Sequence, residues 1–319
     1  MKVLVFGASG FIGSYVLENE LKLGNKVKGT HYKPTIDYYD YKDFIPNLVR
    51  CNINSFKDVY SLIKRYKPQL IYHLAAQSFP TKSMIDPYYT LQTNIIGTTN
   101  IFEAIKKAKI KTKLVIACSS AQYGYVDQAN IPVLENHTFK PLHPYGISKV
   151  CTEMLAYHYF INYNIPSVLA RIFNTTGPRK RGDVCADFTF RAVKSISQKN
   201  KQIKVGNLNN LRAICDVRDT ANALSLLIRK GKPGEAYNIS SVKTVKVKEI
   251  LKIINNNLTK PIKWKKDYKL FRKHDEKIIY GNSKKLKLHT GWKQNISINQ
   301  TILDMMEYWK MRMNAKSKI

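Results

Sequence analysis

Short apolar runs alternate with longer stretches of helical period along the first half of the chain. Residues 2–6 (KVLVF) form a β-rich apolar run and GASGFIG follows at once. SYVLENELKLG then carries apolar positions at helical spacing until Gly24 closes it. The same reading predicts strands at 27–31 (VKGTH), 48–51 (LVRC), 70–76 (LIYHLAA), 113–119 (KLVIACS) and 167–174 (SVLARIFN). It predicts helices over about 55–66 and 88–109, and a third from PYGISK to a stop at Asn164. Strands that alternate with helices imply a parallel sheet covered on both faces, a doubly wound α/β arrangement. From about residue 179 the pattern changes to helices (FTFRAVKSISQ, TANALSLLIRK, VKEILKIINN and about 298–313) separated by short strand-like pieces (IKVG, AYNIS). These pieces are too dispersed for a second sheet of equal size. Residues 179–319 are therefore expected to form a smaller mixed α/β lobe whose chain partly returns to the sheet of residues 1–178.

A chain of 319 residues can bury a large core, and no Pro- or Gly-rich linker or solenoid-period repeat divides it. The opening MKVLVFG has neither a signal-peptide core nor a membrane-spanning length, so an unexported, cytoplasmic protein with no membrane partner is expected. Five scattered cysteines in no CxxC pair suggest neither a disulfide framework nor a metal site. Net charge is +31, and residues 191–319 hold 30 Lys and Arg against 9 Asp and Glu. Such a field speeds the approach of phosphorylated ligands. It also fits a plain solvated surface in a Lys-rich chain. No basic run interleaved with aromatics is read here, which argues against a nucleic-acid groove.

In GASGFIG, Gly7, Gly10 and Gly13 link the first strand to the first helix. A glycine backbone can approach a pyrophosphate there, and the phosphates then lie against free N–H groups at the helix start, those of Phe11 and Ile12 included. This context marks a Rossmann-type dinucleotide site. The second strand, VKGTHYKP, has no acid before Asp37 and carries His31 and Lys33 where a 2′-phosphate would lie. NADPH is favoured on that ground, with NADH possible. PYGISK then puts Tyr145 and Lys149 on one helix face. Alone the pair is an ordinary pattern in a chain with 20 Tyr. Beside a nicotinamide it becomes a proton relay, in which the ammonium is expected to lower the phenol pKa and Lys149 also to bind the cofactor ribose. KLVIACS ends in Ser119 and Ser120 at the sheet edge where ligands of such folds bind, so a hydroxyl could stand beside the phenol. Serines that merely end a strand would look the same.

GASGFIG, YHLAAQS, TNIIGTTN, SSAQYG, the Tyr145–Lys149 pair, RIFNTTGPR and the late TGW together resemble the extended short-chain dehydrogenase/reductase family. The likeness is to its nucleotide-sugar branch of epimerases, dehydratases and 4-keto-sugar reductases, and the motifs run from residue 7 to 292. The resemblance implies Ser119, Tyr145 and Lys149 as the catalytic set. It adds Asn52, Ile53, Leu74, Ala75 and Ala76 to the cofactor site; the family commonly has Asp at Asn52, and an amide can still hydrogen-bond the adenine. For a nucleotide-sugar substrate it implies Gln77, Ser120, Asn174, Arg179, Arg212 and Arg272, with Arg212 and Arg272 clamping the diphosphate. The segment around Arg272 departs from the family pattern. The resemblance also implies a homodimer formed through the helices over about 88–109 and 145–164.

The family's 4,6-dehydratases carry a Glu in the turn after the catalytic hydroxyl. Here Ser120 and Ala121 stand there, and Gln122 is not ionisable. The expected reaction is therefore reduction of a nucleotide-linked 4-keto-6-deoxy-hexose, with Tyr145 protonating the oxygen at C4 while Ser119 holds it. LAAQSFPTKSMIDPYYTLQTNIIGT and FNTTGPRKRGDVCADF most resemble the reductases that yield GDP-rhamnose-type sugars, so a GDP-linked substrate is expected. A 4-epimerase is the alternative, then a 4,6-dehydratase. Outside the enzymes, the alternative is a cofactor-binding regulatory protein with a basic interaction surface.

Overall fold

The computed structural model describes residues 1–196, 202–270 and 278–316. The first half runs β1 (Lys2–Phe6), α1 (Phe11–Lys22), β2 (Lys26–His31), β3 (Leu48–Arg50), α2 (Phe56–Tyr66), β4 (Leu70–His73), α3 (Pro80–Ile85) and α4 (Pro87–Leu91). A π-helical turn (Gln92–Ile96) leads into α5 (Gly97–Ala108), followed by β5 (Lys113–Ser119), α6 (Pro144–Tyr163) and β6 (Ser167–Ile172). Then come β7 (Thr175–Thr176), α7 (Val184–Ser195), β8 (Gln202–Val205), β9 (Leu211–Ala213), β10 (Cys215–Asp216), α8 (Val217–Lys230) and β11 (Ala236–Ile239). The chain ends with β12 (Thr244–Lys246), α9 (Val247–Asn256), β13 (Lys263–Lys266), α10 (Lys284–Thr290) and α11 (Ile298–Lys316).

Seven strands form one parallel sheet in the order β11-β6-β5-β4-β1-β2-β3. Alternation along each strand sends its side chains to two separate cores. Val3, Val5, Tyr72, Val115 and Val168 pack under α1 and α8, whereas Leu4, Phe6, Ile71, Leu114 and Leu169 pack under α2, α5 and α6. Both faces are dry, which is why these strands read as continuous apolar runs. Each such buried side chain contributes about 1.5–3 kcal/mol. Chain order reverses between β4 and β1, and a crevice opens there at the strands' C-terminal ends.

The second half does return to the sheet. β11 pairs with β6 in register Ala236 to Leu169, and α8 lies against α1. The remaining elements surround a third core of Phe188, Ala192, Ile250, Ile254, Ile302 and Met306. Their strands meet only in pairs: β7 with β10, β8 with β13, and β9 antiparallel to β12. β13, reading KWKK, is exposed along its length, so Trp264 does stand among lysines. That corrects the reading that no basic run is interleaved with aromatics. α11 reaches back to the loop after β2, where Tyr308 donates to Asp40 at 2.9 Å and Arg312 pairs with the same carboxylate. No helix among the described residues is long and apolar enough to cross a membrane.

Candidate active site

The glycine turn is held by close backbone approach. Gly7 has φ +86°, and a Cβ on it would lie 2.7 Å from the Ala75 nitrogen. One on Gly13 would lie 2.0 Å from the Gly7 carbonyl oxygen. Side chains at these two positions would wedge β1 away from β4 and α1 away from the turn. Gly10 is the N-cap of α1 and its N–H donates to Gly7 at 2.9 Å, so Phe11 and Ile12 open the helix and their N–H groups lack intrahelical acceptors. An anionic dinucleotide fits this cradle.

His31, expected at the adenosine end, closes β2 and its carbonyl accepts from Cys51. Lys33 lies with its Nζ 4.9 Å over the Tyr89 ring. The Asn52 side chain accepts from Asn54 N–H at 3.1 Å, and Asn100 donates to the Ile53 carbonyl at 2.8 Å. A recess of about 480 Å³, lined by Tyr32, Arg50, Asn52, Asp58 and Arg65, opens here at the sheet edge. Neither Tyr145 nor Lys149 lines it.

Leu74 to Gln77 leave β4 beside Gly7. The Gln77 amide donates to Thr90 (2.9 Å) and to the Phe79 carbonyl (3.1 Å), and accepts from Phe79 N–H (2.7 Å). Its side chain thus shapes its own loop. Gln77 N–H donates to Asn94 Oδ1 at 2.8 Å, and Asn94 donates to Ser148 Oγ at 2.8 Å. Asn94 lies in the π-helical turn, where the sequence pattern predicted an unbroken helix. The inserted residue fits a helix whose buried amide must reach both Gln77 and α6.

His143 caps α6 by accepting from Gly146 N–H, which sets Tyr145 in the first turn and Lys149 one turn on. The phenol faces Ser119, at the end of β5, and the interaction between them favours the phenolate. Lys149 is 5% exposed, donates to the Ala117 carbonyl at 2.6 Å, and holds its ammonium 6.0 Å from the Tyr145 ring centroid. Burial pushes the phenol above its ordinary pKa, opposed by Ser119. The expected depression by Lys149 is not found: burial sets the direction for the phenol, and burial also drives the Lys149 ammonium down to about 8. Burial, with the Lys149 charge beside it, drives His73 down to about 3. Its Nε2 meets Thr98 at 2.8 Å.

The turn Ser120–Gln122 carries no carboxylate. Ser119 N–H donates to Gln122 Oε1 at 2.9 Å, and Gln122 donates to Glu153 at 2.7 Å. Arg171 grips Glu153 through two bonds of 3.0 and 2.5 Å. The one carboxylate touching this turn is therefore neutralised in a buried ion pair, among the described residues.

Of the residues expected to meet the substrate, Asn174 is exposed and its carbonyl accepts from Cys215. Ser120 is half-buried beside Ser119. Arg212 sits on β9 with a bond to the Leu211 carbonyl. Arg179 is drawn away to α1, 2.5 Å from Glu18 and stacked on Tyr15. Arg272 lies outside the described residues. The sequence gives no role to Asn94, Glu153 or Arg171, and marks Gln122 only as a group that cannot ionise. Glu153 follows Lys149 by four residues on the same helix face, and an Arg inside an apolar strand is a signal of a buried partner.

A family model described as GDP-mannose 4,6 dehydratase matches residues 4–305. The GDP-6-deoxy-D-mannose reductase of Pseudomonas aeruginosa is 27% identical over 251 residues, 78% of this chain and 83% of that protein. The UDP-glucuronate 4-epimerase of Thermodesulfobacterium geofontis is 29% identical over 93% of this chain and 92% of its own. Among solved structures, RMD from P. aeruginosa complexed with NADPH superposes with TM-score 0.84 at 24% identity, covering 98% of this chain and 99% of that one. UDP-glucose 4-epimerase from Thermotoga maritima with UDP-glucose gives 0.86 at 25%, covering 98% and 100%.

Proposed function

We propose, for a chain that belongs to the GDP-mannose 4,6 dehydratase family and so to the nucleotide-sugar enzymes of the short-chain dehydrogenase/reductase type, a specific reaction: reduction of a GDP-linked 4-keto-6-deoxy-hexose with NADPH, giving a GDP-rhamnose-type sugar. The observation that carries it is the pairing of a protonated, half-buried phenol with a turn that has no usable carboxylate. The Gly7–Gly13 cradle would hold a nicotinamide dinucleotide, which would supply a hydride when bound. Ser119 holds the C4 oxygen, Tyr145 gives it a proton as negative charge develops, and Lys149 stabilises the phenolate left behind. Elimination of water would need a base that Ser120, Ala121 and the locked Glu153 do not provide. Asn174 and Arg212 are assigned to the diphosphate.

The relative named a UDP-glucuronate 4-epimerase favours a second reading, in which the same tyrosine removes and returns protons and the cofactor is regenerated within each cycle. Purified protein incubated with NADPH or NADH and a panel of GDP-, dTDP- and UDP-linked 4-keto-6-deoxy sugars separates the two. Stoichiometric NADPH oxidation with the GDP-linked substrate is expected. Inversion at C4 of a nucleotide sugar without net cofactor oxidation would replace the reductase by an epimerase.

A homodimer through α6 is part of the same reading. Ile147, Met154 and Ile161 are 44–58% exposed at seven-residue spacing along α6, and Tyr88 and Ile96 are exposed on the neighbouring helices. Light scattering should give twice the chain mass, and Met154→Lys should halve it.

A further inference from the structure

Residues 178–181 read Pro-Arg-Lys-Arg and follow β7, yet each is anchored on the cofactor half of the molecule. The Tyr15 hydroxyl donates to the Pro178 carbonyl at 3.1 Å. Arg179, in the left-handed region at φ +73°, stacks 4.5 Å from the Tyr15 ring centroid and bonds Glu18 and Ser14. Lys180 holds its Nζ 4.7 Å over Phe11, the first residue of α1, and has no ion-pair partner among the described residues. Arg181 reaches Asp37 at 3.1 Å. The loop that bears Asp37 is itself folded onto the glycine turn, where Thr35 N–H donates to the Ser9 carbonyl at 3.2 Å. The segment thus forms a strap from α1 to the loop after β2, across the rim where dinucleotide phosphates would lie.

Lys180 and Arg181 differ from Arg179 in how their charge is met. Glu18 neutralises Arg179, whereas Lys180 lies over an aromatic ring at the start of a helix with no ion pair among the described residues. Arg181 is 54% exposed and meets its carboxylate through one nitrogen, so the rest of its five donors remain available to a second anion. Asp37 is the first acid after β2, the residue that could otherwise accept a ribose 2′-hydroxyl, and its carboxylate is already engaged by Arg181.

We propose that Arg181 binds the 2′-phosphate of the cofactor and Lys180 its pyrophosphate, with Asp37 aiming the Arg181 guanidinium and closing the site to a bare ribose. The proposal rests on the NADPH reading above and extends it to a strap contributed by the second half of the chain. A guanidinium–phosphate contact of this kind changes affinity by about tenfold or more.

The test is titration of nicotinamide fluorescence with NADPH and NADH, without sugar, for wild type, Arg181→Ala, Arg181→Lys and Lys180→Ala, with melting curves to show that each variant folds. Arg181→Ala should weaken NADPH by about tenfold or more and leave NADH within about twofold, Arg181→Lys should recover part of the loss, and Lys180→Ala should weaken both cofactors alike. Wild type that prefers NADPH together with an Arg181→Ala that keeps the whole preference removes Arg181 from the site while the cofactor reading stands. Wild type that binds NADH as tightly as NADPH overturns the cofactor reading and the proposal together.

Discussion

Tyr145 and Lys149 are displaced by the same force in opposite directions, because burial disfavours the charged form of each: the phenol keeps its proton more firmly and the ammonium loses its more readily. Tyr145→Phe should lower turnover by about 10²–10⁴-fold with cofactor affinity nearly unchanged, as steady-state rates and NADPH titration would report. Full activity in that variant would remove the phenol from the reaction. Lys149 makes activity and stability diverge with pH. Its folded pKa of about 8 lies below its unfolded value, so the folded state pays for a buried charge below pH 8. That cost, on the order of 3 kcal/mol, is relieved as pH rises toward the unfolded pKa. Turnover should therefore fall above about pH 8 in the same range where the melting temperature gains. His73 acts at the other end of the scale. Neutral when folded, with a pKa of about 3, it stabilises the fold fully above its unfolded pKa near 6.5 and withdraws that support as pH falls toward 3. The acid limb of a melting-temperature profile should flatten in His73→Asn; an unchanged limb would assign acid lability to other groups.

Among the elements, α6 and the end of β5 work as one body. Gln122 ties the Ser119 backbone to Glu153, and Glu153 ties α6 to Arg171 on β6, so the hydroxyl and the phenol are located by a single buried chain of hydrogen bonds. Glu153→Gln should cost about 3–5 kcal/mol because it leaves Arg171 charged and uncompensated in a dry core. Chemical denaturation checks this, and a loss under 1 kcal/mol would mean that water reaches the site. The glycine turn is equally unforgiving. Gly13→Ala puts a methyl group against the Gly7 carbonyl, and NADPH titration should show cofactor binding lost before the fold is.

Across the whole molecule, the cofactor half and the second half share one sheet and one core, through β11 on β6 and α8 on α1, and are tied further by specific polar contacts. Tyr308 and Arg312 meet Asp40, Arg229 pairs with Glu20 at 2.8 Å, and the basic strap lies over α1. The net charge of +31 belongs to this scale too, since it acts at a distance on any diphosphate approaching the crevice. kcat/KM for a nucleotide sugar should drop with added salt more steeply than kcat, because screening slows encounter and leaves bound chemistry alone. Parallel losses in both would point to salt acting on the fold.

The local patterns of this chain were sufficient for the sheet, the glycine turn and the helix that carries Tyr145 and Lys149. Apolar period, glycine spacing and helix stops such as Asn164 are set by neighbours within a few residues, and α6 and β5 stand where those signals put them. The pairings β7–β10, β9–β12 and β8–β13 were not legible, because strands of two to four residues are too short to show a period. Tertiary structure alone decided that Arg179 turns to α1, that Gln122 and Glu153 stand behind Ser119, and that the phenol pKa rises. Each of these depends on burial and on partners far away in the chain, and an isolated stretch of sequence contains neither.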